Sequence, residues 1–336
     1  MNKVKVGILG LGSWGECHLQ AYQSLPHVEV AAICDINAER VRTIAAQYGI
    51  ADYYTNEDDL IGRADIELVS VVTFEKEHLK STVKALEGGK HVLVEKPVTT
   101  DLREAVAMRE TAERTGRWLI PGHLLRFEPK SIEVYEAIRD GRIGRPVSMY
   151  LRRSRQQSLF ATYQRTHTVY ELMIHDLDLA IWYAGSRVRN VRAYGRSVSG
   201  ADVPEILWAN LEFANGTLAV LQSNWMTPDE AGIEIHDAAE IIGVNGMARF
   251  ETEPAGVQIL NRQGRRTTDL SVHNRLGGRI AGALREQLNF ITQCLMHRQE
   301  PVHTSFADAV HGVQVADAII KSAKLNRDIR IEDLDV

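Results

Sequence analysis

The chain has 336 residues, enough for about two domains at roughly 150 residues each. Hydrophobic residues make up 44% and charged residues 25%, ordinary globular proportions that exclude disordered, collagenous and coiled-coil classes. A formal charge of -5 argues against nucleic acid or an anionic membrane surface as the main partner.

Val4 to Leu11 is apolar, short and glycine-punctuated, so it reads as a strand and not as a signal peptide. No apolar run approaches the ~20 residues of a membrane span. Cys17, Cys34 and Cys294 are widely spaced and form no CxxC pair, which fits a reducing compartment. The expectation is a soluble, cytoplasmic protein. Over the first 120 residues, strand-like apolar runs (Val4 to Leu9, Val28 to Cys34, Leu68 to Val72, Val92 to Val94) alternate with helix-period stretches (Trp14 to Leu25, Glu39 to Tyr48, Glu77 to Glu87, Leu102 to Thr115). That alternation predicts a doubly wound parallel sheet. Asp101 is placed to cap the last of these helices, with Glu104 completing a capping box. Trp118 to Ile120 reads as one more strand, and Pro121-Gly122 marks the expected end of a first domain, 1–120.

Beyond it the pattern changes to strands with few helices between them: Val147 to Arg155, Val191 to Arg196, Ile206 to Phe213, Leu218 to Asn224, Glu240 to Gly243 and Met247 to Glu251. Asn215-Gly216 and Asn245-Gly246 are hairpin turn signals. A second domain, 121–336, is expected to hold a mostly antiparallel open sheet. Helices Lys130 to Arg139, Tyr170 to Tyr183 and Ala283 to His297 are expected on one face of it. A last helix, about 306–323, is a candidate to pack back on the first domain.

Gly10-Leu11-Gly12-Ser13-Trp14-Gly15 follows the first strand and opens a helix, the context in which GxGxxG signals a dinucleotide site. Gly10 permits the tight turn, Gly12 admits a pyrophosphate to the backbone, and Gly15 allows close helix–strand packing. The helix N-terminus, with Ser13 and Trp14, offers N–H groups to the phosphates. Asp35 ends the second strand, where a carboxylate accepts hydrogen bonds from ribose hydroxyls and repels a 2′-phosphate. That favours NAD; Arg40 or Arg42 keeps NADP open, FAD has a similar fingerprint, and a glycine turn serving packing alone is the bland alternative.

Glu95-Lys96-Pro97 follows the strand at 91–94, at the carboxyl edge where open parallel sheets bind ligands. A lysine ammonium there can hold a developing alkoxide, though a surface loop lysine is an equal reading. Glu171, His175 and Asp178 are spaced i, i+4, i+7 and share one face of an α-helix. Histidine is suited to taking a hydroxyl proton at neutral pH, with a carboxylate setting its tautomer. A salt-bridged structural helix is the alternative, and the spacing does not match a metal motif, so no metal is expected. From Gly141 to Tyr170 there are six arginines and no acidic residue. Alternation puts Arg153 and Arg155 on one side of a strand. They are candidates to clamp an anionic substrate, with Tyr163 and Arg165 in a nearby loop; a solvated or subunit-interface strand edge is the alternative.

Taken together, the Gly10–Gly12–Gly15 loop, Glu95-Lys96-Pro97, the segment from Gly122 to Pro129, Gly141-Arg142-Ile143-Gly144 and the helix from His175 to Asp178 resemble the Gfo/Idh/MocA (glucose–fructose oxidoreductase and inositol dehydrogenase) family across nearly the whole chain. The resemblance implies a Rossmann domain joined to an α/β domain whose large open sheet often forms the oligomer interface, hence a homodimer or homotetramer. It maps the family's lysine and histidine onto Lys96 and His175. Glu171 stands where many members have aspartate, and Phe74 replaces the proline of a T-P-x-x-x-H loop matched by Thr73 and His78. Glu95, Thr73 and His78 join the cofactor-binding candidates, and His123 and Arg126 join the substrate-binding ones. The expected activity is hydride transfer between NAD and a carbinol of a sugar, polyol or sugar derivative, with Lys96 and His175 at the reacting oxygen across an interdomain cleft. A non-enzymatic dinucleotide sensor, and NAD-assisted glycoside cleavage or epimerisation without net redox, are the rivals.

Overall fold

A computed structural model describes residues 3–252, 257–261, 264–268, 275–276 and 279–331 of the chain. The chain divides into two units: Met1–Phe127 with Val272–Val310, and Glu128–Ser271 with His311–Val336.

The first unit is built on six parallel strands: β1 (Val4–Leu9), β2 (Val28–Cys34), β3 (Tyr53–Tyr54), β4 (Leu68–Val71), β5 (His91–Glu95) and β6 (Leu119–Gly122). Their order is β3-β2-β1-β4-β5-β6, so the chain reverses direction across the sheet between β1 and β4. The residues of β4 and nearly all those of β1 and β5 are buried, as strands covered on both faces require. Helices α1 (Ser13–Gln23), α2 (Ala38–Tyr48), α3 (Glu57–Ile61), α4 (His78–Glu87) and α5 (Leu102–Thr115) make the crossovers. Asp101 caps α5 by accepting the Arg103 N–H at 2.8 Å. The expected capping box is not closed by Glu104. The Thr99 hydroxyl takes the Asp101 N–H instead and donates to the Glu104 carboxylate.

The second unit carries a seven-stranded sheet of β7 (Pro146–Gln156), β8 (Val188–Arg196), β9 (Ile206–Phe213), β10 (Leu218–Thr227), β11 (His236–Gly243), β12 (Met247–Glu251) and a short last strand, β17 (Ile329–Arg330), in the order β12-β11-β7-β10-β9-β8-β17. All neighbours are antiparallel except β7 and β10. Asn215-Gly216 does turn the β9–β10 hairpin, with Gly216 at φ 85°. Helices α6 (Pro129–Arg139), α7 (Gln157–Tyr163) and α8 (Ile174–Ala184) belong to this unit, and α8 packs on β7 and β10. Short antiparallel pairs, β13 (Val257–Asn261) with β14 (Gly264–Thr268) in this unit and β15 (Arg275–Leu276) with β16 (Arg279–Ile280) in the first, complete the described strands.

One helix departs from expectation. Helix α9 (Ala283–His297) does not cover the second sheet; it returns to the first unit and packs on α1 and β1. Its stripe Leu284, Leu288, Ile291 and Leu295 joins the core of Val6, Ile8, Leu19 and Tyr22. An apolar stripe announces that a helix is buried, not which sheet it covers. Helix α10 (Phe306–Leu325) begins in the first unit and continues in the second. No described helix is long and apolar enough to cross a membrane.

Candidate active site

The glycine loop joins β1 to α1. Gly10 has φ 90°, and a Cβ there would lie 2.6 Å from the Val72 carbonyl oxygen. A Cβ on Gly15 would come within 2.0 Å of the Gly10 carbonyl oxygen. Packing therefore demands both glycines. Gly12 differs: a Cβ there meets nothing within 4 Å. It stands exposed at the start of α1, whose first turn has no side-chain cap. Open space in front of uncapped helical N–H groups, with exposed Ser13 beside them, fits a phosphate group.

Asp35 closes the loop from the next strand. Its Oδ2 accepts the Leu11 N–H and its Oδ1 the Asn37 N–H, each at 2.8 Å. Arg40 approaches Oδ2 at 3.7 Å. The carboxylate thus anchors the glycine loop and retains lone pairs for a ribose. The residues present fit the NAD expected from the sequence.

Glu95 is the centre of the next cluster. Its side chain is buried, and its Oε1 accepts from His18 Nε2 at 2.9 Å while Oε2 accepts the Lys96 N–H at 3.0 Å. The Trp14 indole also donates to it. Burial alone would push this carboxyl up; the His18 hydrogen bond, with Trp14 and the Lys96 charge, holds it below the usual range. The Lys96–Pro97 peptide bond is cis. On the other side of the turn, His78 is buried, with Nδ1 3.0 Å from the Pro97 carbonyl oxygen and Nε2 3.0 Å from that of Thr73. Burial pushes the His78 pKa down against these carbonyls. His78, one of the expected cofactor-binding residues, ties the loop after β4 to the loop after β5. Phe74, beside Thr73, is 60% exposed.

His123 is buried just after β6. Arg126, expected at the substrate, is 2% exposed, and its guanidinium is taken by Asp308 Oδ2 at 3.0 Å. It fastens the 3-10 turn Leu124–Phe127 to the start of α10.

In the second unit, Val169–Met173 is wound as a π-helix before α8 begins at Ile174. The α-helical spacing that aligned Glu171 with His175 therefore does not hold at Glu171. Such π turns are frequent at functional sites. His175 is half-buried, and Asp178 and Glu171 are buried. Arg165 Nη2 donates to Glu171 Oε1 at 2.8 Å and lies over the Tyr163 ring, itself stacked on Trp225.

The arginines of β7 are not a free anion clamp. Arg153 is 4% exposed and forms a fork on Asp176, Nη2 to Oδ1 at 2.8 Å and Nε to Oδ2 at 3.1 Å; its Nη1 reaches Asp237 Oδ2 at 2.7 Å. Arg155 donates to both oxygens of Asp237. Burial raises the Asp176 carboxyl, Arg153 offsetting this only in part. Burial would also raise Asp237, but Arg153 and Arg155 together hold it below its usual range. Asp237 answers a positive island that looked uncompensated in the sequence, because β11 places it opposite Arg153 in the sheet register. His18 and Asp237 were not foreseen. His18 was legible only as a helix residue four positions beyond Trp14, on the same face. Among the described residues no group of three or more His, Cys, Asp or Glu side chains could hold a metal ion.

Comparison with known proteins bears on both units. Residues 4–123 match the GFO/IDH/MocA model, an oxidoreductase family with an NAD-binding Rossmann fold, and residues 132–249 match the GFO/IDH/MocA C-terminal domain. An inositol 2-dehydrogenase/D-chiro-inositol 3-dehydrogenase of Lactiplantibacillus plantarum is 25% identical, over 98% of this chain and 93% of that protein. The D-apiose dehydrogenase of Paraburkholderia graminis is 25% identical over 100% of this chain and 92% of its own. The fold is shared with scyllo-inositol dehydrogenase from Lactobacillus casei, solved with NAD(H) and scyllo-inositol, at a TM-score of 0.86 and 22% identity over 99% of this chain and 100% of that one.

Proposed function

The chain belongs to the GFO/IDH/MocA oxidoreductase family, with an NAD-binding Rossmann domain at its N-terminal end, and from that premise we propose that it is an NAD-dependent dehydrogenase of a sugar or polyol carbinol. The observation that carries the reading is the Glu95-Lys96-Pro97 turn. It stands at the carboxyl edge of the parallel sheet and is tied through Glu95 to the helix that opens at the glycine loop. Relatives named for inositol and D-apiose support a polyhydroxylated substrate. Neutralisation of Arg153 and Arg155 by Asp176 and Asp237 supports an uncharged one over a sugar acid.

Gly10, Gly12, Ser13, Trp14 and Gly15 would hold NAD, with Asp35 at its ribose, and the cofactor would supply the hydride acceptor. Lys96 hydrogen-bonds the substrate oxygen and stabilises the alkoxide. His175 takes the hydroxyl proton as general base. Asp178 orients His175 or a neighbouring substrate hydroxyl, and Glu171, paired with Arg165, shapes the wall beside them. The same reading includes a homo-oligomer, a dimer or tetramer, assembled through the outward face of the seven-stranded sheet.

The test is a screen of polyols, aldoses, sugar acids and nucleotide sugars for net NADH formation, with NADP in parallel. Lys96→Ala should lower turnover on the best substrate by roughly 100-fold or more while NAD still binds. Near-normal turnover in that variant removes Lys96 from the chemistry. NAD binding with no NADH from any substrate removes simple dehydrogenation.

A further inference from the structure

Lys96 is the group the proposed chemistry leans on, and what lies beneath it is a buried ionic device. Helix α1 presents Trp14 and His18 one turn apart, with ring centroids 6.0 Å apart. Both donate to the Glu95 carboxylate, His18 from Nε2 at 2.9 Å. His18 Nδ1 meets no hydrogen-bond partner among the described residues, so the proton of a neutral ring belongs on Nε2, facing the carboxylate. The second oxygen of Glu95 accepts the Lys96 N–H, and the Lys96 ammonium acts on the same carboxylate as a nearby positive charge. The space is tight: a Cβ on Gly122 would lie 2.9 Å from both Cα and Cδ of Glu95. The Glu95 side chain is therefore packed against the Gly122 backbone on that side.

A buried carboxylate is costly unless it is paired and fully hydrogen-bonded. Stability alone would be served by an apolar residue at position 95 and another at position 18. A carboxylate that accepts the Lys96 main-chain N–H does something an apolar residue cannot, namely fix the turn on which the lysine stands. The carboxylate is also bonded to the helix that opens at the glycine loop, so the turn that carries Lys96 is tied to that helix.

We infer that His18 and Glu95 are positioning residues for Lys96: the imidazole on helix α1 aims one carboxylate, and that carboxylate holds the turn that carries the lysine. The inference rests on the proposed role of Lys96 in catalysis, and its test keeps the two separable.

The first readout needs no substrate. Full-length parent, Glu95→Gln, His18→Leu and His18→Gln are treated with trinitrobenzenesulfonate, which attacks uncharged amines, and labelling at Lys96 is mapped by mass spectrometry against the exposed Lys324. Glu95→Gln should raise the relative labelling rate of Lys96 about 3-fold or more, because the turn that carries the amine loses its hold and the amine becomes more accessible. His18→Leu should follow it. His18→Gln, whose amide nitrogen takes the place of Nε2, should stay near the parent. Equal relative rates in all four proteins overturn the inference. The second readout is turnover with scyllo-inositol, or with the best substrate of the screen: kcat should fall about 10-fold or more in Glu95→Gln and His18→Leu, with NAD Kd by calorimetry within about 3-fold and rescue in His18→Gln. Full turnover in Lys96→Ala defeats the catalytic reading and leaves the labelling result standing. Lost turnover in Lys96→Ala with parental kcat and labelling in Glu95→Gln defeats the positioning role alone. Should His18→Leu fail to fold, the near-isosteric Glu95→Gln carries the test.

Discussion

The three glycines of the loop answer to different physical demands, and single methyl groups separate them. Gly15→Ala would drive a Cβ to within 2.0 Å of the Gly10 carbonyl oxygen, backbone that cannot yield cheaply. That variant should lose several degrees of melting temperature together with NAD binding. Gly12→Ala places its methyl in open space. It should melt within about 2 °C of the parent yet bind NAD at least about 10-fold more weakly, because the methyl occupies the pyrophosphate's approach. Calorimetric melting and NAD titration on both proteins check this; equal losses of stability contradict it. Asp35 makes a second residue-level test. Its charge repels a 2′-phosphate, and Arg40 stands 3.7 Å away. Asp35→Asn keeps an oxygen acceptor for the Leu11 N–H, removes the repulsion and releases Arg40. The ratio of NADP to NAD affinity should rise by about 10-fold or more, read by fluorescence titration with each dinucleotide. An unchanged ratio would take cofactor choice away from Asp35.

Elements show where sequence reading succeeds and where it stops. The β1–loop–α1 unit and Asp35 were legible because glycine spacing, strand and helix lie within one short stretch, and Gly15 answers to the Gly10 carbonyl five residues before it. The β9–β10 hairpin was legible for the same reason. Pairings made by register were not. Arg153 and Asp237 are 84 residues apart and face each other only because β11 aligns on β7 in one register. Glu95 and His18 are 77 residues apart and meet only once the sheet has brought the carboxyl end of β5 within reach of α1. The spacing of Glu171 from His175 was illegible for a third reason: a π turn changes the angular step, and periodicity arguments assume a constant one. The buried network on β7 carries its own prediction. Arg153→Met would strand Asp176 and, in part, Asp237 as uncompensated buried anions. It should cost about 3–5 kcal/mol in urea unfolding. An unchanged urea midpoint would mean that the arginine is free for another task, and would return it to the list of substrate anchors.

At the scale of the whole molecule, the seven-stranded sheet has one face on which, among the described residues, several large apolar side chains stand exposed. The register rows identify it. Tyr194 pairs with Trp208, Trp208 with Gln222, Gln222 with Arg152 and Arg152 with Ala238, one row crossing five strands. Two rungs away run Glu212, Leu218, Ser148, Ile242 and Met247. The alternate rows, such as Ala193, Ala209, Leu221, Leu151 and Ala239, are buried. On the outward rows Tyr194, Trp208, Leu218, Ile242 and Met247 are exposed, large and apolar. Scattered single apolar residues on a surface mean little, but a contiguous sheet face carrying several is a docking surface or a liability. A two-fold axis through such a face lets each row meet its own copy, which is the isologous contact that closed dimers use. The proposed homo-oligomer therefore has a definite place to be cut. Trp208→Glu combined with Leu218→Glu puts like charges opposite one another across that axis while touching nothing in the buried rows. Light scattering should find the parent as a dimer or tetramer and the double variant as a monomer with unchanged far-ultraviolet circular dichroism. A monomeric parent at high concentration would remove this face as an assembly surface. An oligomeric double variant would move the assembly surface to another part of the chain.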